Sequence, residues 1–283
     1  MFTTKATRKS FTTADGVGLS YLEAGEGRPF VMIPGWSQTA LQWHDQIDAF
    51  AQTHRVIAMD MRGHGASEKP EYGYRVYRLA KDVRELMEAL DLSDAVLMGH
   101  SMGCSVIWAL YDLFSADRIG KLVLVDQSAL LADTALLSDE ARAQAGAIFT
   151  PEAAVDVVSA LRGENAKEAT AGFVGGMFTP DADREIVETS VALNYDFPRR
   201  HAGTLVFDHV FNDWRDVMAR ITVPTLCIDG ESSLVPTSTM RWQASVIPNA
   251  RVEIFATEEG GAHFMFMENP QKFNALVAEF LAG

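Results

Sequence analysis

Ala95-Val96-Leu97-Met98-Gly99-His100-Ser101-Met102-Gly103 passes from a short apolar run, through glycine, into a helical run over 104–114. Four apolar residues stopped by glycine suit a strand buried on both faces of a parallel sheet. The last five residues fit G-x-S-x-G. That spacing sets a serine on a tight strand-to-helix turn with its hydroxyl exposed. The glycines carry no Cβ, so strand and helix can close around a strained residue. An ordinary glycine-bounded turn is the competing reading. The strand before and the helix after supply the context that an attacking serine requires.

Outward from this turn the same alternation repeats. Phe30-Val31-Met32-Ile33 ends at Pro34-Gly35, and Arg55-Val56-Ile57-Ala58-Met59 ends at the turn-rich Asp60-Met61-Arg62-Gly63-His64-Gly65. Leu122-Val123-Leu124-Val125 ends at Asp126. Between them Val76, Leu79, Val83, Leu86, Met87 and Leu90 recur at three- and four-residue steps, one face of an amphipathic helix. The alternation predicts an α/β domain with a mainly parallel sheet. From about Leu130 to Asp213 the strand-like runs thin out. Short helices are expected over 139–147, 151–161 and 182–193, with 173–178 an apolar, flexible connector. The expected organisation is a core of residues 1–129 and 214–283 with a helical cap, 130–213, inserted into it. Strands return at 224–228 and 251–255. Asn269-Pro270 then opens a final helix as N-cap and first helical residue, buried through Phe273, Leu276, Val277 and Phe280.

A serine nucleophile needs a base and a group to orient that base. Of the seven histidines, His263 is best placed. It closes the loop Glu258-Glu259-Gly260-Gly261-Ala262-His263, whose glycines free the backbone to bring the ring to the carboxyl edge of the sheet. His100 adjoins the serine and is a candidate for the pocket, though packing is the simpler role. His64 lies in a loop, where a turn hydrogen bond is the bland reading. His201 and His209 lie in the cap region and could face substrate, with a surface position as the alternative. Asp126 ends the strand after the serine's own, on the same sheet edge. The order Ser101…Asp126…His263 matches the Ser…Asp/Glu…His pattern. Asp229 and Glu231, in Asp229-Gly230-Glu231-Ser232-Ser233, are rival acids. Oxyanion donors are expected from the backbone N–H groups of Met102, after the serine, and of Trp36, in the loop that follows Ile33. Trp36, Phe149, Phe173, Met177 and Phe178 are candidate pocket lining, with cap-to-core packing as the competing role.

Composition narrows the partners. The 283 residues are 48% hydrophobic and 22% charged, which is ordinary globular usage and excludes disordered and fibrous classes. No apolar run approaches the ~18 residues of a membrane span. The opening MFTTKATRKSF is basic without an apolar core, so no secretory signal is expected. Lys+Arg total 24 against Asp+Glu 38, a net charge of −14 that repels phosphate backbones and anionic lipid. Nucleic acid is therefore not an expected partner. Two isolated cysteines, Cys104 and Cys227, make neither a disulfide framework nor a metal knuckle, and a cytoplasmic location is expected. The histidines are scattered rather than placed at ligand spacing, so neither metal nor cofactor is expected.

Four features carry a family resemblance: Ile33-Pro34-Gly35-Trp36, Asp60-Met61-Arg62-Gly63-His64-Gly65-Ala66-Ser67, the serine turn, and Gly261-Ala262-His263-Phe264. Through them the chain resembles the α/β-hydrolase superfamily over nearly its whole length. The resemblance implies an eight-stranded sheet flanked by helices, with a helical lid between the sixth strand and the following helix. It says little about substrate, because one fold hosts many functions. Two departures stand out. Pro34 occupies a position where many relatives have histidine. Ser233 occupies the third position past the glycine after the seventh strand, where many relatives carry the acid. The second departure favours Asp126, since other branches take the acid from the loop after the sixth strand. Ser101 argues against the dehalogenases of the fold, which use an aspartate nucleophile. The chain is also similar to the cofactor-free dioxygenases that cleave 3-hydroxy-4-quinolones and release carbon monoxide. In those enzymes the His–Asp pair deprotonates the substrate hydroxyl, and Trp36, Ser101, Asp126 and His263 map onto that scheme.

The leading expectation is a serine hydrolase for a small apolar ester or lactone, with Ser101, His263 and Asp126 as catalytic residues. A dioxygenase acting on an aromatic heterocycle is the alternative. A ligand-binding protein on the hydrolase fold is the third.

Overall fold

The computed structural model describes residues 2–134 and 136–283. Eight strands form one sheet: β1 (Thr7–Thr12), β2 (Gly18–Ala24), β3 (Arg28–Ile33), β4 (His54–Met59), β5 (Ala95–His100), β6 (Ile119–Val125), β7 (Thr225–Gly230) and β8 (Ala250–Phe255). Their spatial order is β1-β2-β4-β3-β5-β6-β7-β8. β2 pairs antiparallel with β1 and β4, and every other pairing is parallel. This is the eight-stranded, mostly parallel sheet that the resemblance implies.

Helices α1 (His44–Phe50), α2 (Val76–Ala89) and α3 (Met102–Phe114) connect the first strands. Among the described residues six helices lie between β6 and β7: α4 (Asp139–Ala145), α5 (Pro151–Arg162), α6 (Ala166–Gly175), α7 (Arg184–Asn194), α8 (Arg199–Val210) and α9 (Arg215–Met218). The chain ends with α10 (Thr237–Val246), α11 (Met265–Glu268) and α12 (Pro270–Ala282). Among the described residues no helix is long and apolar enough to cross a membrane.

Burial on both faces explains why the central strands read as continuous apolar runs. Along β3, Val31 and Ile33 join a core with α2 and α3, while Phe30 and Met32 join a second core with α1 and α12. Five predicted elements recur with shifted ends: α4, α5 and α7 against 139–147, 151–161 and 182–193, and β7 and β8 against 224–228 and 251–255. The stretch 173–178 is not simply a connector, because α6 runs to Gly175. α8 escapes a pattern search because its buried face carries His201 and His209, which read as polar positions. β1 also escapes, since it is an edge strand exposed at almost every residue.

Candidate active site

Ser101 caps α3 in a backbone conformation of φ 54° and ψ −127°. Non-glycine residues adopt positive φ only under constraint. Here the Ser101 N–H is tied to the Val125 carbonyl at 2.8 Å, and the Ser101 carbonyl accepts from Cys104 N–H at 2.8 Å. The flanking glycines are sterically required. A Cβ on Gly103 would lie 2.3 Å from the Ile33 oxygen, and one on Gly99 would lie 2.6 Å from the Gly103 carbonyl group. The turn leaves Ser101 half-buried at the mouth of α3. Met102 is the first residue of that helix, so its N–H has no helical acceptor.

His263 arrives from the far edge. Gly260, at φ 77°, ends the 3-10 turn Thr257–Glu259. The His263 ring is buried, and its Nδ1 donates to Asp126 Oδ1 at 2.7 Å. Its backbone is clamped twice. His263 N–H donates to the Met177 carbonyl at 3.1 Å, and His100 Nε2 donates to the His263 carbonyl at 2.8 Å. With Nδ1 engaged, Nε2 is the nitrogen left to act as a base. Burial pulls the imidazole down to about 4, against an opposing pull from Asp229.

Asp126 is fully buried just past β6 at φ 53°. Its N–H donates to the Ile228 carbonyl at 2.9 Å, and Ser233 Oγ donates to Oδ1 at 2.8 Å. Ser233, which stands where many relatives carry an acid, thus supports the aspartate of the neighbouring strand. Of the rival acids, Asp229 is buried in β7 beside Asp126 and does not contact His263 by hydrogen bond, while Glu231 is exposed in the loop.

The loop after β3 is held from two sides. His64 Nδ1 lies 2.9 Å from the Arg62 carbonyl, so Nε2 is free to accept the Ser37 N–H at 3.1 Å. Burial pulls His64 down to about 3, which keeps the ring in that neutral form. From the α6–α8 side, Ala202 O accepts Trp36 Nε1 at 2.8 Å, and Arg199 Nη2 donates to Ser37 Oγ at 2.6 Å. The Arg199 guanidinium also lies 5.6 Å over the Trp36 ring.

These elements surround a partly open cavity lined by Ser101, His263 and Trp36. Phe149, Phe173 and Met177 also line it, as the sequence predicts. Two predicted lining residues do not. His100 turns both ring nitrogens into the protein, toward His263 O and Gln38 Oε1. Phe178 stacks on Phe264 at 4.5 Å and belongs to the core. Sequence reasoning missed Leu131, Ile148, Val157, Val206 and Val210, which make the wall predominantly apolar, and the polar Gln127 and Asn194. Of the two histidines of α8, His209 lines the cavity, while buried His201 stacks on Tyr74 at 4.4 Å instead. Val206, His209 and Val210 stand at i, i+3 and i+4 on α8, a helical face that a correct placement of α8 would have exposed.

The model of the alpha/beta hydrolase fold family matches residues 28–270. The non-heme chloroperoxidase CPO-A1 of Kitasatospora aureofaciens is 29% identical over 95% of this chain and 98% of its own. A solved structure of a hydrolase from Pseudomonas aeruginosa PA01 is 30% identical, with a TM-score of 0.80 over 98% of this chain and 99% of that one. An esterase from Exiguobacterium antarcticum superposes with a TM-score of 0.88 over 97% and 99% of the two chains, and at 22% identity it speaks for the fold alone.

Proposed function

The chain belongs to the alpha/beta hydrolase family, and on that premise we propose that it is a serine hydrolase of small esters or lactones with an apolar acyl or alkyl part. The observation that carries this reading is the 2.7 Å contact from His263 Nδ1 to Asp126, on a histidine that shares one cavity with Ser101. In this reading His263 Nε2 takes the Ser101 hydroxyl proton as Oγ bonds to the substrate carbonyl carbon. Asp126 holds the ring in the Nδ1–H tautomer and stabilises the imidazolium that forms. The Met102 and Trp36 N–H groups receive the oxyanion. His263 returns the proton to the departing alkoxide, and water then releases the acyl group by the same steps. Residues 130–213 act as a cap whose α5, α6 and α8 supply the apolar wall. The quinolone dioxygenase alternative has no counterpart among the relatives named above.

The test is hydrolysis of p-nitrophenyl acetate, butyrate and octanoate by wild type and Ser101→Ala. We expect Ser101→Ala to lower kcat by at least about 10³-fold, as deletion of a nucleophile does. A folded variant that kept a tenth of the wild-type rate would remove Ser101 from the chemistry.

A further inference from the structure

Asp126 and Asp229 meet where β6 and β7 end. The parallel register sets Val125 beside Ile228, so the next pair across the ladder is Asp126 and Asp229. Both side chains are fully buried. On Asp126, Oδ1 is occupied by His263 and Ser233. On Asp229, Oδ1 accepts the Gly230 N–H at 2.9 Å. The remaining oxygen of each, Oδ2, is buried and has no other donor. Among the described residues no lysine or arginine pairs with either group. The register nonetheless sets the two carboxyls side by side, each with an orphaned oxygen, and each acts on the other's titration as a hydrogen-bonded neighbour.

Two carboxylates cannot sit in contact, dry and without a cation. Two orphaned buried acceptors are equally untenable. One proton between the two Oδ2 atoms removes both problems. We propose that Asp229 carries this proton and donates it to Asp126 Oδ2, which makes Asp229 a positioning residue for the His263–Asp126 pair. Asp126 then remains the anion, with one oxygen for His263 and the other for Asp229. Burial raises Asp229 further than its partner, which agrees with Asp229 as the holder. An anion that already accepts from Asp229 and Ser233 is a weaker base toward His263. The imidazole therefore stays neutral between turnovers. The other titratable groups nearby, Cys104 of α3 and Cys227 of β7, are held as thiols by burial and add no charge.

The shared proton rests on the paired strand ends and their orphaned oxygens, while the effect on rate rests on the serine-hydrolase reading. The experiment separates them. Infrared difference spectra of wild type minus Asp229→Asn at pH 7 are expected to show a protonated-carboxyl C=O band that shifts in deuterated water. Ser101→Ala should keep that band. No such band, or one untouched by Asp229→Asn, would overturn the proposal whatever the enzyme's substrate. In Asp229→Asn, Oδ1 can still accept from Gly230 while Nδ2 donates to Asp126. With p-nitrophenyl butyrate, Asp229→Ala is expected to lower kcat on the order of tenfold, leave KM in place and move the acid limb of kcat/KM to higher pH. Asp229→Asn is expected to restore most of kcat and return the limb toward its wild-type position. Equal damage in both variants would mean that Asp229 works as a charge, and would overturn the assignment. Should Asp229→Ala not fold, the infrared result with Asp229→Asn still decides.

Discussion

Ser37, Ser101 and Asp126 occupy positive φ at 62°, 54° and 53°. The first lies in the loop of the proposed oxyanion hole, the second is the proposed nucleophile and the third is the proposed acid. Such conformations cost about 1–3 kcal/mol each and persist only where the surroundings fix them. Here the fixing contacts are visible: His64 on Ser37 N–H, Val125 on Ser101 N–H, and Ile228 on Asp126 N–H. The chemistry of the site at this scale turns on His263. Because burial lowers its pKa, the ring stays in the proton-accepting form through neutral and mildly acid pH. Activity is therefore lost as pH falls through the folded-state pKa, not as it rises. The kcat/KM profile for p-nitrophenyl butyrate should be level near neutrality, with its acid limb below the ordinary imidazole value of about 6.5. A limb above that value would contradict the burial of this ring. Ser101 and Asp126 were legible as candidates in the sequence because each follows a halted apolar run, and His263 because it closes a glycine-rich loop after the last one. The roles of Ser233 and Asp229 were not, since a hydrogen bond between neighbouring strand ends has no signature along the chain.

The turn from β5 into α3 and the helix α6 use glycine in opposite ways. Gly103 is wedged against β3, where an added methyl would lie 2.3 Å from the Ile33 oxygen, while a methyl on Gly172 of α6 meets nothing within 4 Å. Gly103→Ala should lower stability by about 1–3 kcal/mol through overpacking and disturb the turn that carries Ser101. Gly172→Ala should raise stability by about 0.5–1 kcal/mol, because it removes backbone freedom from the unfolded chain inside a helix. Urea midpoints of both variants check this, and equal effects would mean that the turn is not sterically closed. The α/β alternation was readable because the central strands are short apolar runs between breakers. The helices between β6 and β7 are legible only in part. They bury narrow stripes, and α8 buries His201 and His209 where a pattern search expects aliphatic residues.

The whole molecule carries several buried neutral imidazoles. Burial pulls His64 and His209 down to about 3, His263 to about 4, and His100 well below its ordinary value. Each ring takes up a proton on unfolding once pH falls below about 6.5, while the folded state does not. Stability is therefore lost as pH falls through this range, by about 1.4 kcal/mol per pH unit for each ring. The raised carboxyl pair acts in the opposite sense: its shared proton is bound in the folded state and released on unfolding above the carboxylate range. Four rings outweigh one shared proton. The calorimetric midpoint should thus fall steadily between pH 6.5 and pH 5, and a midpoint that rose on acidification would refute this balance. The adjacency of β6 and β7 has a consequence for descent. Ser233 reaches Asp126 Oδ1 across 2.8 Å from the next strand end, so the positions after β6 and after β7 serve the same imidazole from neighbouring addresses. An acid gained at 233 would approach the same His263 nitrogen before the one at 126 is lost.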